Sequence, residues 1–128
     1  MRKAILMVLL TAMCSRAMAD WVAIDDASYG RTYVNPGTIS KSGELVKVWE
    51  LIDLKQSREH EGKSFFSFTS EVEYDCVRKT FQVLNTAGLT EHMAKGEVIA
   101  GGAGPRQWRP VTGGTAAENS WRFVCGKK

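Results

Sequence analysis

From Ser64 to Cys76 apolar and polar positions alternate: Phe66, Phe68, Val72, Tyr74 and Cys76 fall on one side, and Ser67, Thr69, Glu71, Glu73 and Asp75 on the other. A period of two predicts a strand with one buried and one wet face, and it turns Cys76 toward the buried side beside Tyr74 and Val72. The parity changes at Phe81 and Val83, which predicts a bulge or turn over Val77 to Lys79 and a further strand over Thr80 to Leu84. Leu45 to Leu54 is apolar on both sides, with Val46, Val48, Ile52 and Leu54 facing one way and Leu45, Trp49 and Leu51 the other, so it reads as a central strand covered on each face.

Shorter strands are expected at Trp21 to Ile24, at Arg31 to Val34 and at Gly96 to Ala100. Turns are expected at Asp25-Asp26, Asn35-Pro36-Gly37, Lys41-Ser42-Gly43 and Asn85 to Gly88. Lys55 to Lys63 reads as an exposed charged loop, and Gly101 to Pro105 as a flexible connection before an extended segment holding Trp108, Pro110 and Val111. The pattern changes after Gly113-Gly114. Thr115 and Glu118 have the spacing of a capping box, and Ala117, Trp121, Val124 and Cys125 then recur on one helical face. About eleven residues make a marginal helix in water, so this one must lean on the sheet. Many strands followed by one helix predict an α+β domain with an antiparallel sheet.

The first residues alter the charge balance. Met1-Arg2-Lys3, an apolar run from Ala4 to Met13 and the small residues Ala17 and Ala19 form the pattern of a cleavable secretory signal of bacterial type. The run is too short to cross a bilayer as a helix. Cleavage between Ala19 and Asp20 leaves a single domain over residues 20–128, with no transmembrane segment in the mature chain. Cys14 also follows the apolar run, but Met13 is not the small residue a lipoprotein signal places before its cysteine, and lipidation is not expected. The 17 basic residues fall to 14 once Arg2, Lys3 and Arg16 leave, equal to the 14 acidic ones. A general nucleic-acid role thereby loses its electrostatic driving force. The protein is expected in the periplasm, on the outer surface or in the medium. There Cys76 and Cys125 have one possible intramolecular pairing, the alternative being two buried or metal-bound thiols.

The residues offer little catalytic chemistry. His60 and His92 lack metal-ligand spacing and read as solvated side chains; the alternative is a haem ligand at His92 or Met93. No nucleophile–base pair can be argued from Ser64, Ser67 or Ser70, and the glycine run at 101–104 lacks the lysine of a phosphate loop. No enzymatic activity, metal or cofactor is therefore expected. Glu71, Glu73 and Asp75 line one strand face about 7 Å apart, where they form either a solvated face or a surface for a cation or a basic partner. Trp49 and Trp121 suit the core. Trp21 and Trp108 either pack the terminal segments or lie on a recognition surface.

Several stretches in order, Tyr33-Val34-Asn35-Pro36 with Thr38-Ile39, Val46 to Asp53, Glu73-Tyr74-Asp75-Cys76, Met93 to Val98, Trp108 to Val111 and Trp121 to Cys125, resemble the surface-adhesin protein E family of small exported bacterial proteins. The resemblance implies a sheet of about six strands with a C-terminal helix held on its concave face by a disulfide. It further implies binding to host matrix and serum proteins such as laminin, vitronectin and plasminogen, haem binding, and a homodimer. The rival reading is a periplasmic accessory protein that binds other envelope proteins. The candidate binding surface comprises Glu71, Glu73, Asp75 and Trp108. Intact-mass measurement of the exported protein should give a chain that begins at Asp20 and is two hydrogens lighter than its reduced form; a chain retaining Met1 would overturn the cleavage assignment.

Overall fold

In a computed structural model the described residues are 20–127; Ala19, Cys14 and the rest of the proposed signal lie outside them. Strands β1 (Val22–Asp26), β2 (Gly30–Ser42), β3 (Leu45–His60), β4 (Lys63–Asp75), β5 (Thr80–Leu89) and β6 (Val98–Ala103) form an antiparallel meander in chain order. The two-residue strand β7 (Arg109–Pro110) pairs with β5 beyond the end of β6. One helix, α1 (Ala116–Cys125), follows. The expected α+β architecture, its six-stranded sheet and its terminal helix are all present.

Five segments read as turns or loops are strand; the first, Asp25-Asp26, completes β1 and pairs with Thr32 and Arg31. Asn35-Pro36-Gly37 does not reverse the chain but interrupts the β2–β3 ladder between Asn35 and Ser40. Pro36 has no N–H to donate to the ladder, and across the interruption the Trp49 N–H donates to the Thr38 hydroxyl at 2.9 Å. Lys55 to His60 extends β3, and its far end pairs with Lys63 to Phe65 across a turn at Glu61-Gly62. Asn85 to Gly88 lies inside β5 and is laddered on both sides, as in the row Phe68–Gly88–Ala100. Gly101 to Ala103 completes β6 on the same ladder. Backbone hydrogen bonding, to two neighbours in β5 and to one in the edge strand β6, overrides the poor strand propensity of these residues. At Gly30 the need for glycine is steric, because a Cβ would come within 2.5 Å of the Asp53 carbonyl oxygen.

One face of the sheet carries Val34, Val46, Val48, Val72 and Tyr74, and α1 closes over them with Trp121 and Val124. Burying each such side chain favours folding by about 1.5–3 kcal/mol. The helix begins where the sequence predicts. Thr115 caps it by accepting from the Glu118 N–H, while the Glu118 carboxylate reaches back to the Gly114 N–H at 3.0 Å instead of that of Thr115. Lys79 and Arg122 also bond Glu118, each at 3.2 Å. The Gly114 N–H, then Lys79 and Arg122, hold the Glu118 carboxyl down to about 2. At the other end Gly126 adopts the left-handed conformation that stops the helix.

The turn after β4 fixes α1 to the sheet. Asp75 accepts the N–H groups of Val77 and Arg78 at 3.0 and 2.8 Å, and this sets the chain reversal. The Asp75 carbonyl accepts the buried Trp121 indole N–H at 3.1 Å, and Lys79 stands 5.0 Å above the Trp121 ring. Cys76 is bonded to Cys125, with the two Cα atoms 5.6 Å apart. Beneath the helix the Tyr74 hydroxyl donates to Glu50, and the buried Ser120 hydroxyl stands beside the carboxyl. Burial raises Glu50 to about 7 against the opposing Tyr74 hydrogen bond, and burial followed by the Glu50 charge pushes the Tyr74 phenol up.

Two predictions follow from this packing. Cys125→Ser should lower stability by about 2–5 kcal/mol in chemical denaturation, and an unchanged midpoint would show that the helix does not depend on the bond. Glu50 has a folded-state pKa above its unfolded value, so its contribution is complete below about pH 4.5 and is lost as pH rises through 7. Glu118 has the opposite sign: its contribution is present above about pH 4.5 and disappears as pH falls toward 2. Glu50→Gln should therefore flatten the decline in melting temperature between pH 5 and 8 and leave the acid limb in place. A wild-type decline retained in full would remove Glu50 as its cause.

Candidate functional site

Alternation along β3, β4 and β5 places a second set of residues on the face away from α1. Two cross-strand rows matter. In one, Asn35, Trp49, Glu71 and Asn85 are register partners across β2 to β5; in the other, Lys47, Glu73 and Gln82 are partners across β3 to β5. Glu71 accepts from the Asn85 side-chain amide at 2.8 Å, and Glu73 from that of Gln82 at 2.9 Å. Both partners are neutral, so they orient the carboxylates without cancelling their charge. Lys47 lies opposite Glu73 in register, but no ion pair joins them among the described residues.

Trp108 is 43% exposed and directly precedes the Arg109–Phe81 pair that joins β7 to β5. Of the four proposed surface residues, Glu71 and Glu73 share a face by register on β4, and Trp108 stands outside the strands, next to β7.

Asp75 leaves the row. It is only 4% exposed, and its carboxylate is committed to the turn at Val77 and Arg78. The Arg78 N–H chiefly, followed by the Val77 N–H, holds its carboxyl below the ordinary range. The alternation that predicted a wet Asp75 ends where β4 ends, and the following turn captures the side chain. Trp49 also departs from expectation: it is only partly buried and belongs to the row with Glu71, outside the core. Trp121 is the tryptophan that fills the core. Asn85 and Gln82 were not singled out from the sequence. The available signal was their spacing from Glu71 and Glu73 across the predicted β4–β5 reversal, hidden by the reading of Asn85 as a turn residue.

The segment between β5 and β6 lies against Asp53 and Ser67, which are register partners on β3 and β4. A short 3-10 turn, His92–Ala94, is pinned there. Asp53 accepts the Met93 N–H at 2.8 Å and lies 3.0 Å from His92 Nδ1. The Ser67 hydroxyl donates to the Glu91 carbonyl and accepts from the Ala94 N–H. Met93 and Ala94 both have positive φ, at 59° and 63°, and these four bonds hold them there. His92 stays exposed with its ring 5.0 Å from that of Phe66, while His60 lies far along the β3–β4 hairpin beside Glu61. No group of three or more potential metal ligands is present among the described residues, and no described helix is long and apolar enough to cross a membrane.

Comparison with known proteins places this geometry in a family. The chain superimposes on two solved structures of protein E from Haemophilus influenzae, each with a TM-score of 0.70 and covering 88% of this chain. Identity is 12% over 92% of one and 13% over 89% of the other, so these matches establish a shared fold. No curated protein matches the chain by sequence. The family model described as surface-adhesin protein E matches residues 21–126, from the first tryptophan of the described domain to the glycine that ends α1, and the chain belongs to that family.

Proposed function

We propose that this protein is an exported, non-enzymatic binding protein whose partner, a host matrix or serum protein, docks on the sheet face away from α1. Membership of an adhesin family supports a surface adhesin-like role. The observation that carries the docking face is the pair of carboxylates, Glu71 and Glu73, oriented by neutral amides and accompanied by Trp49, with Trp108 exposed next to β7. Oriented but uncancelled carboxylates suit a partner segment rich in lysine or arginine. A partly exposed tryptophan supplies the apolar contact area that such interfaces concentrate in a few residues. Docking against one face of a sheet closed on its other side by α1 requires no opening of the fold.

Binding of the mature chain to immobilised laminin, vitronectin and plasminogen provides the test. The wild-type protein should bind at least one of them at micromolar affinity or better. The double variant Glu71→Lys/Glu73→Lys should weaken that binding at least about tenfold at an unchanged melting temperature, and Trp108→Ala by about 5- to 30-fold. Wild-type affinity in both variants would remove this face as the docking surface. No binding across the panel, together with capture of an envelope protein by crosslinking in the native cell, would replace the host partner with an envelope one.

A further inference from the structure

The two edges of the sheet are finished differently. At one end β1 carries Asp25 and Asp26, and its register slips between Ala23 and Asp25. Asn119 of α1 also donates its side-chain amide to the Ile24 carbonyl at 3.2 Å. Charges, a bulge and a covering side chain are devices that keep a sheet edge from recruiting another strand. At the other end β6, Val98-Ile99-Ala100-Gly101-Gly102-Ala103, contains no charged residue and no proline. It is bulged once, at Ile99, and from Ala100 to Ala103 its register with β5 is unbroken.

Neither flank of β6 shields its outer side. The segment before it is bonded onto Asp53 and Ser67 of β3 and β4. The segment after it runs back along β5, where the Gly104 and Arg106 N–H groups donate to the Leu84 and Val83 carbonyls at 2.8 and 3.0 Å. The Gly104 bond also fixes which backbone groups β6 leaves over. Gly104 faces β5, so in an antiparallel ladder Gly102 and Ala100 face it too, and Gly101 and Ala103 turn their N–H and C=O groups outward. Both residues are exposed. A Cβ at Gly101 would press on the Thr86 carbonyl oxygen at 3.2 Å, so glycine there answers to β5, and its effect at the edge is to leave the outward groups unscreened.

We propose that β6 takes an extended segment of a partner polypeptide as a further antiparallel strand. Donors and acceptors at strand spacing are complemented by another extended backbone, so the exposed edge itself specifies the chemistry of its occupant. Glycine and alanine offer no side-chain pockets, and recognition is therefore by main chain, for a segment about as long as β6 without proline at its ladder positions. A second copy of this chain is the poorer occupant. Two six-residue edges of mostly small side chains fall well short of the roughly 1,200 Å² that a stable interface buries. The proposal does not rest on the docking face, since backbone groups of β6 and not Glu71 or Glu73 make the contact.

Fluorescence anisotropy of a labelled peptide of alternating threonine and valine, flanked by one lysine and one glutamate, tests the proposal on the mature chain. The peptide should bind saturably. N-methylation of the alternate amides that face β6 should weaken binding at least about tenfold, and methylation of the other set should change it less than about twofold. Gly101→Pro should also weaken it at least about tenfold, because the proline removes an outward N–H that serves no bond within the sheet. Should Gly101→Pro fail to fold, Ala103→Pro removes the next outward N–H. Hydrogen exchange should be fast at the Gly101 and Ala103 amides of the free chain and slow once the peptide is bound, and Glu71→Lys/Glu73→Lys should leave peptide binding unchanged. No saturable binding, equal tolerance of both methylation patterns, wild-type affinity in a folded proline variant, or protection appearing along β1 would overturn the site. A mature chain that sediments as a dimer with the Gly101 and Ala103 amides already protected would replace the partner segment with a second copy.

Discussion

The reversal between β4 and β5 is the point on which the domain depends. Within a few residues, the Asp75 carboxylate shapes the turn and its carbonyl receives the Trp121 indole, while Cys76 bonds Cys125 and Lys79 bridges Glu118 and the Trp121 ring. A ten-residue helix does not hold itself in water, and this turn supplies contacts at both of its ends. Asp75 is consequently a structural residue. Its charge is spent on backbone N–H groups, which is why it is withdrawn from the surface that Glu71 and Glu73 share.

The sheet's two faces differ in what they ask of their polar groups. Under α1, Glu50 is taken from water and partnered by Tyr74, so its proton is held to about neutral pH. On the opposite face Glu71 and Glu73 have amide partners on β5 and stay partly exposed. A phenol partner and desolvation under the helix set the Glu50 carboxyl apart from the amide-bonded carboxyls of the open face.

Much of this was legible in the sequence, and the rest was hidden for identifiable reasons. The alternation over Phe68 to Tyr74, the doubly apolar Leu45 to Leu54 and the Thr115/Glu118 cap each report a local preference that tertiary structure keeps. Ser67 and Asp75, expected on the wet face, are buried instead, and Phe66 packs against His92. Asn85 to Gly88 and Gly101 to Ala103 have no strand propensity; they are strands because β4, β5 and β6 ladder them, which no local window contains. Lys55 to His60 is strand for a similar reason, held by its own hairpin partner with both faces in solvent. Around the candidate site, Glu71 and Glu73 could be read from parity. Trp49 could not, because a strand apolar on both sides does not say which of its sides the helix will cover.

Every strand from β1 to β6 pairs with its neighbours in sequence, so each hairpin can close as soon as its second arm exists. A chain emerging amino-terminus first never has to hold one strand open for a distant one. The exceptions are the start of β5, which waits for β7, and Cys76, whose thiol must stay unspent through the formation of β5, β6 and β7 until the last helical residue arrives. Oxidation at that point seals a sheet that is already complete, and the bond serves as a chemical record that synthesis reached the end of the fold.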